Sequence, residues 1–123
     1  MTSLILQAYL RLVHFDSYLT RDDFVGLYDR IRYCSVAPVA QEDAIERVCY
    51  AMDIACIWYW KEVLCLQRSA ATVCLLRRLG IPGKLVIGAQ QLPFKAHAWV
   101  EVEGSVVNDK PHVRETYAVL DVC

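Results

Sequence analysis

The sequence has no excess of either charge, because 13 Lys and Arg residues are offset by 14 Asp and Glu residues in a chain of 123. Binding nucleic acid through its phosphates requires a basic surface, so a nucleic-acid partner is not expected. The polar composition of disordered chains is also absent, since 56% of the residues are hydrophobic and 22% are charged. We therefore expect one globular domain, residues 1–123, with one core.

No apolar run is long enough to predict a membrane span. The most hydrophobic stretch, 48–60, has about 13 residues and includes Asp53, whereas a spanning helix needs roughly 20 apolar residues. The apolar N-terminus is interrupted by Gln7 and Arg11, and no small-residue cleavage site follows it. These features predict a soluble, cytoplasmic protein.

The six cysteines lack the spacing of a metal site or a disulfide framework. No Cys-x-x-Cys pair occurs, and zinc would need two close ligand pairs, so no metal is predicted. Without a secretion signal, we expect reduced thiols that pack as small hydrophobic side chains. The sequence also has no glycine-rich phosphate-binding loop, and we predict no cofactor. The cysteines are Cys34, Cys49, Cys56, Cys65, Cys74 and Cys123.

The hydrophobic period changes once, near Gly80, from the spacing of helices to that of strands. Four helices are predicted before it: the first within 4–15, the second after Thr20, the third from about Gln41 and the fourth over 63–79. The fourth is apolar around most of its circumference and should be central. Four strands follow at 84–89, 95–102, 105–109 and 117–121, joined as an antiparallel meander. The pattern predicts an α+β domain.

Cys65 differs from the other cysteines by its place in the first turn of the predicted fourth helix. Unpaired N–H groups and the positive end of the helix dipole would favour its reactive thiolate form. The surrounding charge has the same sign, because residues 61–95 contain six basic residues and one acidic residue. Another buried structural cysteine remains the alternative.

His97 lies between two alanines on a predicted strand, and Asp109 ends the next strand. With a three-residue hairpin loop, 102–104, the two residues would face each other on one side of the sheet. A two-residue loop would shift the register and place them on opposite faces. Cys65, His97 and Asp109 are the residue types of a Cys-His-Asp nucleophilic site, in the chain order of transglutaminases and papain-like proteins.

Residues 65–109 contain three motifs in a fixed order: Cys-Leu-x-Arg-Ser, Pro-Phe-x-Ala-His-Ala-Trp-Val-Glu and Asn-Asp. In these motifs the segment resembles the leader peptidases of lasso-peptide biosynthesis, a bacterial transglutaminase-like family. The resemblance implies a papain- or transglutaminase-like fold, in which a helical part, 1–60, precedes a catalytic core, 61–123. It also implies a cysteine endopeptidase with Cys65 as nucleophile, His97 as base and Asp109 as the third member.

The resemblance implies partners as well. In that family a precursor peptide is the substrate, and the sequence looks like the split form, whose leader-recognition domain is a separate protein. An ATP-dependent macrolactam cyclase would act on the product. Two other functions stay open: amide transfer of the transglutaminase type, and a non-catalytic scaffold that presents the precursor.

Four further side chains are candidates for substrate binding. An arginine one turn beyond Cys65 would bind an acidic group or pair with a carboxylate of the core. The three tryptophans would be core residues or an aromatic wall beside an extended peptide. The four candidates are Arg68, Trp58, Trp60 and Trp99.

Overall fold

The structure is a computed structural model that describes residues 2–91 and 93–123. Four helices precede the first strand, and a short fifth helix lies between the last two strands, so the predicted α+β class is confirmed. The helices are α1 (Thr2–Thr20), α2 (Phe24–Tyr33), α3 (Ala44–Trp58), α4 (Cys65–Arg78) and α5 (Val113–Thr116). The strands are β1 (Gly83–Gln91), β2 (Phe94–Val102), β3 (Ser105–Val106) and β4 (Ala118–Val122).

Helix α4 lies at the centre of the molecule, as its apolar circumference predicted. Every residue from Ser69 to Leu76 is at most 1% exposed. One face packs against α1 and α3, and the other packs against β1 and β2. A helix covered on both sides is held firmly, and its first residue, Cys65, is therefore fixed relative to the sheet.

The sheet has the strand order β3-β2-β1-β4, and every neighbouring pair is antiparallel. The predicted meander is wrong for the last strand, because β4 pairs with β1 and not with β3. The physical reason is the short β3: the chain leaves the sheet after Val106, and α5 carries it to the opposite edge.

The hairpin between β2 and β3 has a two-residue turn. Val102 pairs with Ser105, and both turn residues have positive φ, 50° at Glu103 and 84° at Gly104. This is the backbone of a type I′ turn, for which glycine at the second position is favoured. Of the two loop lengths left open by the sequence, the structure has the two-residue loop, and the predicted strand 105–109 is wrong beyond Val106.

Gly88 allows the side chains of Trp99 and Tyr117 to lie close to the backbone of β1. It pairs with His97 across the strands, and a Cβ atom added there would lie 2.6 Å from the Trp99 ring and 2.9 Å from the Cβ of Tyr117. Only a residue without a side chain leaves room for these rings, which flank His97.

Within residues 2–91 and 93–123, no helix has the length and apolarity required to cross a bilayer. All six cysteines are free thiols.

Candidate active site

A cavity of about 300 Å³ opens where the first turn of α4 meets β2 and the segment that follows β3. Cys65, His97 and Asp109 all line it, so the structure brings together the three residues singled out from the sequence. The remaining lining residues are Val63, Arg68, Ser69, Ala98 and Asn108.

Cys65 is the first residue of α4 and is solvent-exposed. The preceding N-cap residue is Leu64, whose side chain has no acceptor, so it leaves the N–H groups of the first turn uncapped. The buried Gln67 holds this turn in place: its Oε1 accepts from the Leu64 N–H at 3.4 Å, and its Nε2 donates to the Leu12 carbonyl at 2.8 Å. The thiol therefore lies beside free backbone donors on a fixed helix end.

His97 is half-buried on β2, and its ring is held from several sides. Its Nε2 contacts the Oδ2 of Asp109. The ring centroids of Tyr117 and Trp99 lie 5.3 Å and 5.9 Å from that of His97. Because Nε2 is engaged by the carboxylate, Nδ1 is the ring nitrogen left for exchange with a substrate or a thiol.

Asp109 lies in the loop after β3. Burial acts to raise its pKa, but the hydrogen bonds from His97 and from the Lys110 backbone outweigh burial, so the pKa lies below its ordinary value of 3.8. The Lys110 N–H donates to Oδ1 at 2.7 Å, while Oδ2 faces His97. Both carboxylate oxygens are occupied, and the group is ionised at neutral pH.

A hydrogen-bond network joins the three segments that carry these residues. Ser69 donates to the Ala98 carbonyl at 3.2 Å and accepts from the Asn108 amide at 3.2 Å. The Oδ1 of Asn108 accepts from the Val100 N–H at 2.7 Å, and so takes the place of a backbone carbonyl of a neighbouring strand. The network thus links α4, β2 and the residue before Asp109.

Sequence reasoning did not identify Ser69 as a functional residue. Two signals were available: Ser69 lies one helical turn after Cys65, and it is a polar residue on a helix predicted to be buried. What it bonds to follows only from the tertiary structure.

Arg68 lines the cavity, and its guanidinium also contacts the Asp53 carboxylate on α3. Its Nε is buried without a hydrogen-bond partner among the described residues. A smaller cavity of about 170 Å³ adjoins Arg68 on the side of α3. Arg68 therefore pairs with a carboxylate of α3 and also borders both cavities.

The tryptophans have different environments. Trp99 is fully buried, and its indole N–H donates to the Glu101 carboxylate at 2.8 Å, so it packs the sheet and does not reach a substrate. Trp58 and Trp60 are 76% and 70% exposed, which makes the interpretation of these two as core residues wrong. Neither of the two lines the cavity that contains Cys65.

The site shows no arrangement for a metal, since the described part of the chain has no group of three His, Cys, Asp or Glu side chains that could hold one.

Comparison with known proteins identifies the family. The family model for the transglutaminase-like superfamily matches residues 9–122. The chain is 43% identical over 56 residues to the microcin J25-processing protein McjB of Escherichia coli. That region covers 46% of this chain and 27% of McjB, so the match spans about a quarter of the relative's length. No solved structure matches the chain. The protein belongs to the transglutaminase-like superfamily.

Proposed function

We propose that the protein is a cysteine endopeptidase that removes the leader from a ribosomally synthesised lasso-peptide precursor. The observation that carries the proposal is the meeting of Cys65 with the His97–Asp109 pair at one cavity. Similarity to a protein named for microcin J25 processing supports a peptide precursor as the substrate.

The first chemical step is acylation. The Cys65 thiolate attacks the scissile carbonyl carbon, and the backbone N–H of Cys65 donates to the resulting oxyanion. His97, protonated, gives its proton to the departing amine, and the C–N bond breaks. The products of this step are a free core N-terminus and a thioester between Cys65 and the leader.

The second step is hydrolysis of the thioester. Neutral His97 takes a proton from water, the hydroxide attacks the thioester carbonyl, and the Cys65 thiolate leaves. Asp109 stays ionised throughout and stabilises the imidazolium that forms in each half-reaction. Its lowered pKa suits this role, because protonation of Asp109 at working pH would remove the negative charge.

Substrate contacts are proposed around this core. Arg68 lines the cavity with a side chain that is 36% exposed, and its guanidinium would donate to a carbonyl or carboxylate of the peptide. Trp58 and Trp60, both exposed, offer aromatic surface to an extended chain. Trp99 would act indirectly by packing beside His97.

The proposed partners follow from the same function. A separate leader-recognition protein would deliver the precursor, and an ATP-dependent macrolactam cyclase would join the freed amine to a side-chain carboxylate. The reaction would take place in the cytoplasm. Within the chain, residues 61–123 carry the catalytic groups and 1–60 the helices that support them, as parts of one domain.

The test is the mass of the products. Purified protein is incubated with a precursor peptide and a leader-recognition protein, and the masses are read. Two peptides whose masses add up to the precursor plus one water establish hydrolysis. A single conjugate with an added amine would instead indicate amide transfer. An intact precursor, bound but never cleaved, would indicate a scaffold and overturn the proposal.

A further inference from the structure

Cys34 and Cys74 form a close pair outside the candidate active site. Their Sγ atoms lie 2.7 Å apart, although the residues are 40 positions apart in the sequence. Cys34 is the residue after α2 and is half-buried, whereas Cys74 lies in the buried middle of α4. A disulfide bond requires about 2.05 Å, so only a small further approach separates the two thiols from bonding distance.

The backbone on both sides of this pair is fixed by the fold. After Cys34 the chain runs along the C-terminal half of α4: the Ala37 N–H donates to the Arg77 carbonyl at 2.8 Å. The Arg77 side chain in turn donates to the Ile31 carbonyl, at the end of α2, at 2.6 Å. The juxtaposition of the sulfurs therefore does not depend on a mobile loop.

The environment makes the two thiols unequal. A hydrogen bond from Cys74 lowers the pKa of Cys34 to about 6, and the guanidinium groups of Arg30, Arg11 and Arg77 act in the same direction, against burial. The Nη1 of Arg30 lies 3.2 Å from the Cys34 sulfur. The same thiol–thiol hydrogen bond, with burial, raises the pKa of Cys74. Cys34, the partly accessible partner, is therefore the thiol that more readily becomes a thiolate, and Cys74 is the one that more readily stays protonated.

We propose that Cys34 and Cys74 are a redox pair that closes to an intramolecular disulfide on exposure to a low-molecular-weight disulfide such as oxidised glutathione. The Cys34 thiolate attacks one sulfur of the reagent and displaces its first thiolate. Cys74 then loses its proton and attacks the Cys34 sulfur, displacing the second. The protein loses two electrons and the thiol hydrogens, and the reagent is reduced to two thiols.

The cross-link would tie the end of α2 to the helix that carries Cys65. The loop that it closes contains all of α3 and residues 65–74 of α4. By restricting the unfolded chain, a bridge across such a loop raises the melting temperature, here by on the order of 10 °C. The proposal is independent of the reaction that Cys65 performs.

The experiment uses the whole protein and a buffer of equal oxidised and reduced glutathione. Free thiols are then alkylated, and the protein is digested without reduction and mapped by mass. We expect one peptide that joins Cys34 to Cys74, alkylated Cys49 and Cys56, and the higher melting temperature. A lasting glutathione adduct on Cys34, full alkylation of both residues, or cross-links scattered over other cysteines would overturn the proposal.

Variants separate the pair from the other thiols. Cys34→Ser and Cys74→Ala should each lose both the cross-linked peptide and the oxidant-dependent rise in melting temperature. Cys56→Ala removes a half-buried thiol of α3 and is the matched control, which should keep both. The peptide mass map of the wild-type protein tests the proposal without any variant. A variant that folds poorly therefore does not prevent the test.

Discussion

Asp109 contacts His97 although the two residues are not cross-strand partners. Pairing of β2 with β3 ends at Glu101 and Val106, and a continued strand in that register would turn the two side chains to opposite faces. Because the chain leaves the sheet after Val106, the carboxylate approaches Nε2 of His97 from a loop. The pair therefore depends on the path of residues 107–109, and so on the side chain of Asn108 that replaces the missing ladder bond.

Replacement of the proposed nucleophile should abolish cleavage. We expect Cys65→Ala to leave the fold intact, since the thiol is exposed and alanine is well tolerated in a helix. Cys74→Ala, nine residues later on the same helix, should keep its activity and lose some stability, because it empties a buried site. Product masses and melting curves for both variants give the answer; equal cleavage by the two would show that Cys65 is not the nucleophile.

Substitutions of His97 and of Asp109 should both slow turnover, but by different amounts. General-base assistance is typically worth about 10²–10⁴-fold in rate. The loss of rate in His97→Ala should lie at or beyond the upper end of that range. Asp109→Asn removes the charge that stabilises the imidazolium and should cost less, because a thiolate at a helix N-terminus depends less on the third residue. Single-turnover rates on one precursor would measure both. An unchanged rate in Asp109→Asn would leave a Cys-His dyad.

The lowered pKa of Asp109 predicts a specific pH dependence of stability. A carboxyl whose pKa is lower in the folded state stabilises the fold above its ordinary pKa of 3.8, and that contribution is lost as the pH falls through the lower folded value. The free energy of unfolding of wild type should therefore exceed that of Asp109→Asn near neutral pH, and the two should converge in acid. Denaturant titrations at several pH values test this; a gap that stays constant into acid would contradict it.

The parts of the fold that depend on local sequence were predictable. The apolar spacing before Gly80 predicted the four helices, and the covered central position of α4 followed from its lack of a polar face. The residue types and order of Cys65, His97 and Asp109 were enough to nominate one site, because a thiol, an imidazole and a carboxylate are a chemically coherent set. Their meeting at one cavity agrees with that nomination.

The parts that depend on a single backbone choice were not predictable. Whether the hairpin loop has two or three residues is decided by Glu103, a residue that rarely adopts the positive φ of 50° found here. The edge of the sheet that β4 joins depends on where β3 ends. A two-residue strand is too short to show a hydrophobic period, so the sequence pattern does not predict this end. The approach of Cys34 to Cys74 spans 40 positions and follows from packing alone.

The close packing over Gly88 predicts that Gly88→Ala destabilises the protein. The new methyl group would meet the Trp99 ring and the Cβ of Tyr117, and overpacking of this kind costs about 1–3 kcal/mol in the free energy of unfolding. Because those two rings flank His97, activity should fall as well. Gly83→Ala on the same strand is the control: its φ is not positive, and the nearest atom to the added Cβ is a flexible side-chain carbon of Leu76 at 3.1 Å. Equal stability of the two variants would show that the rings yield without cost.

Ser69 should act as a positioning residue for the site. Ser69→Ala removes the bond to the Ala98 carbonyl and leaves the Asn108 amide without its acceptor, so α4 is no longer tied to the segments that carry His97 and Asp109. Since small misplacements of reacting groups are costly, kcat should fall about 10–100-fold while KM changes little. Thr72→Val is the matched control, because among the described residues the Thr72 hydroxyl bonds only to the Arg68 carbonyl of its own helix.

Both Ser69→Ala and Thr72→Val remove a buried hydroxyl from α4, so a loss of stability alone would affect them alike. A network that positions Cys65 against His97 lowers kcat only in Ser69→Ala, at temperatures where both variants are fully folded. Steady-state kinetics and circular dichroism on the same samples separate the two effects. Parallel losses of kcat in the two variants would reduce the role of Ser69 to ordinary core stability.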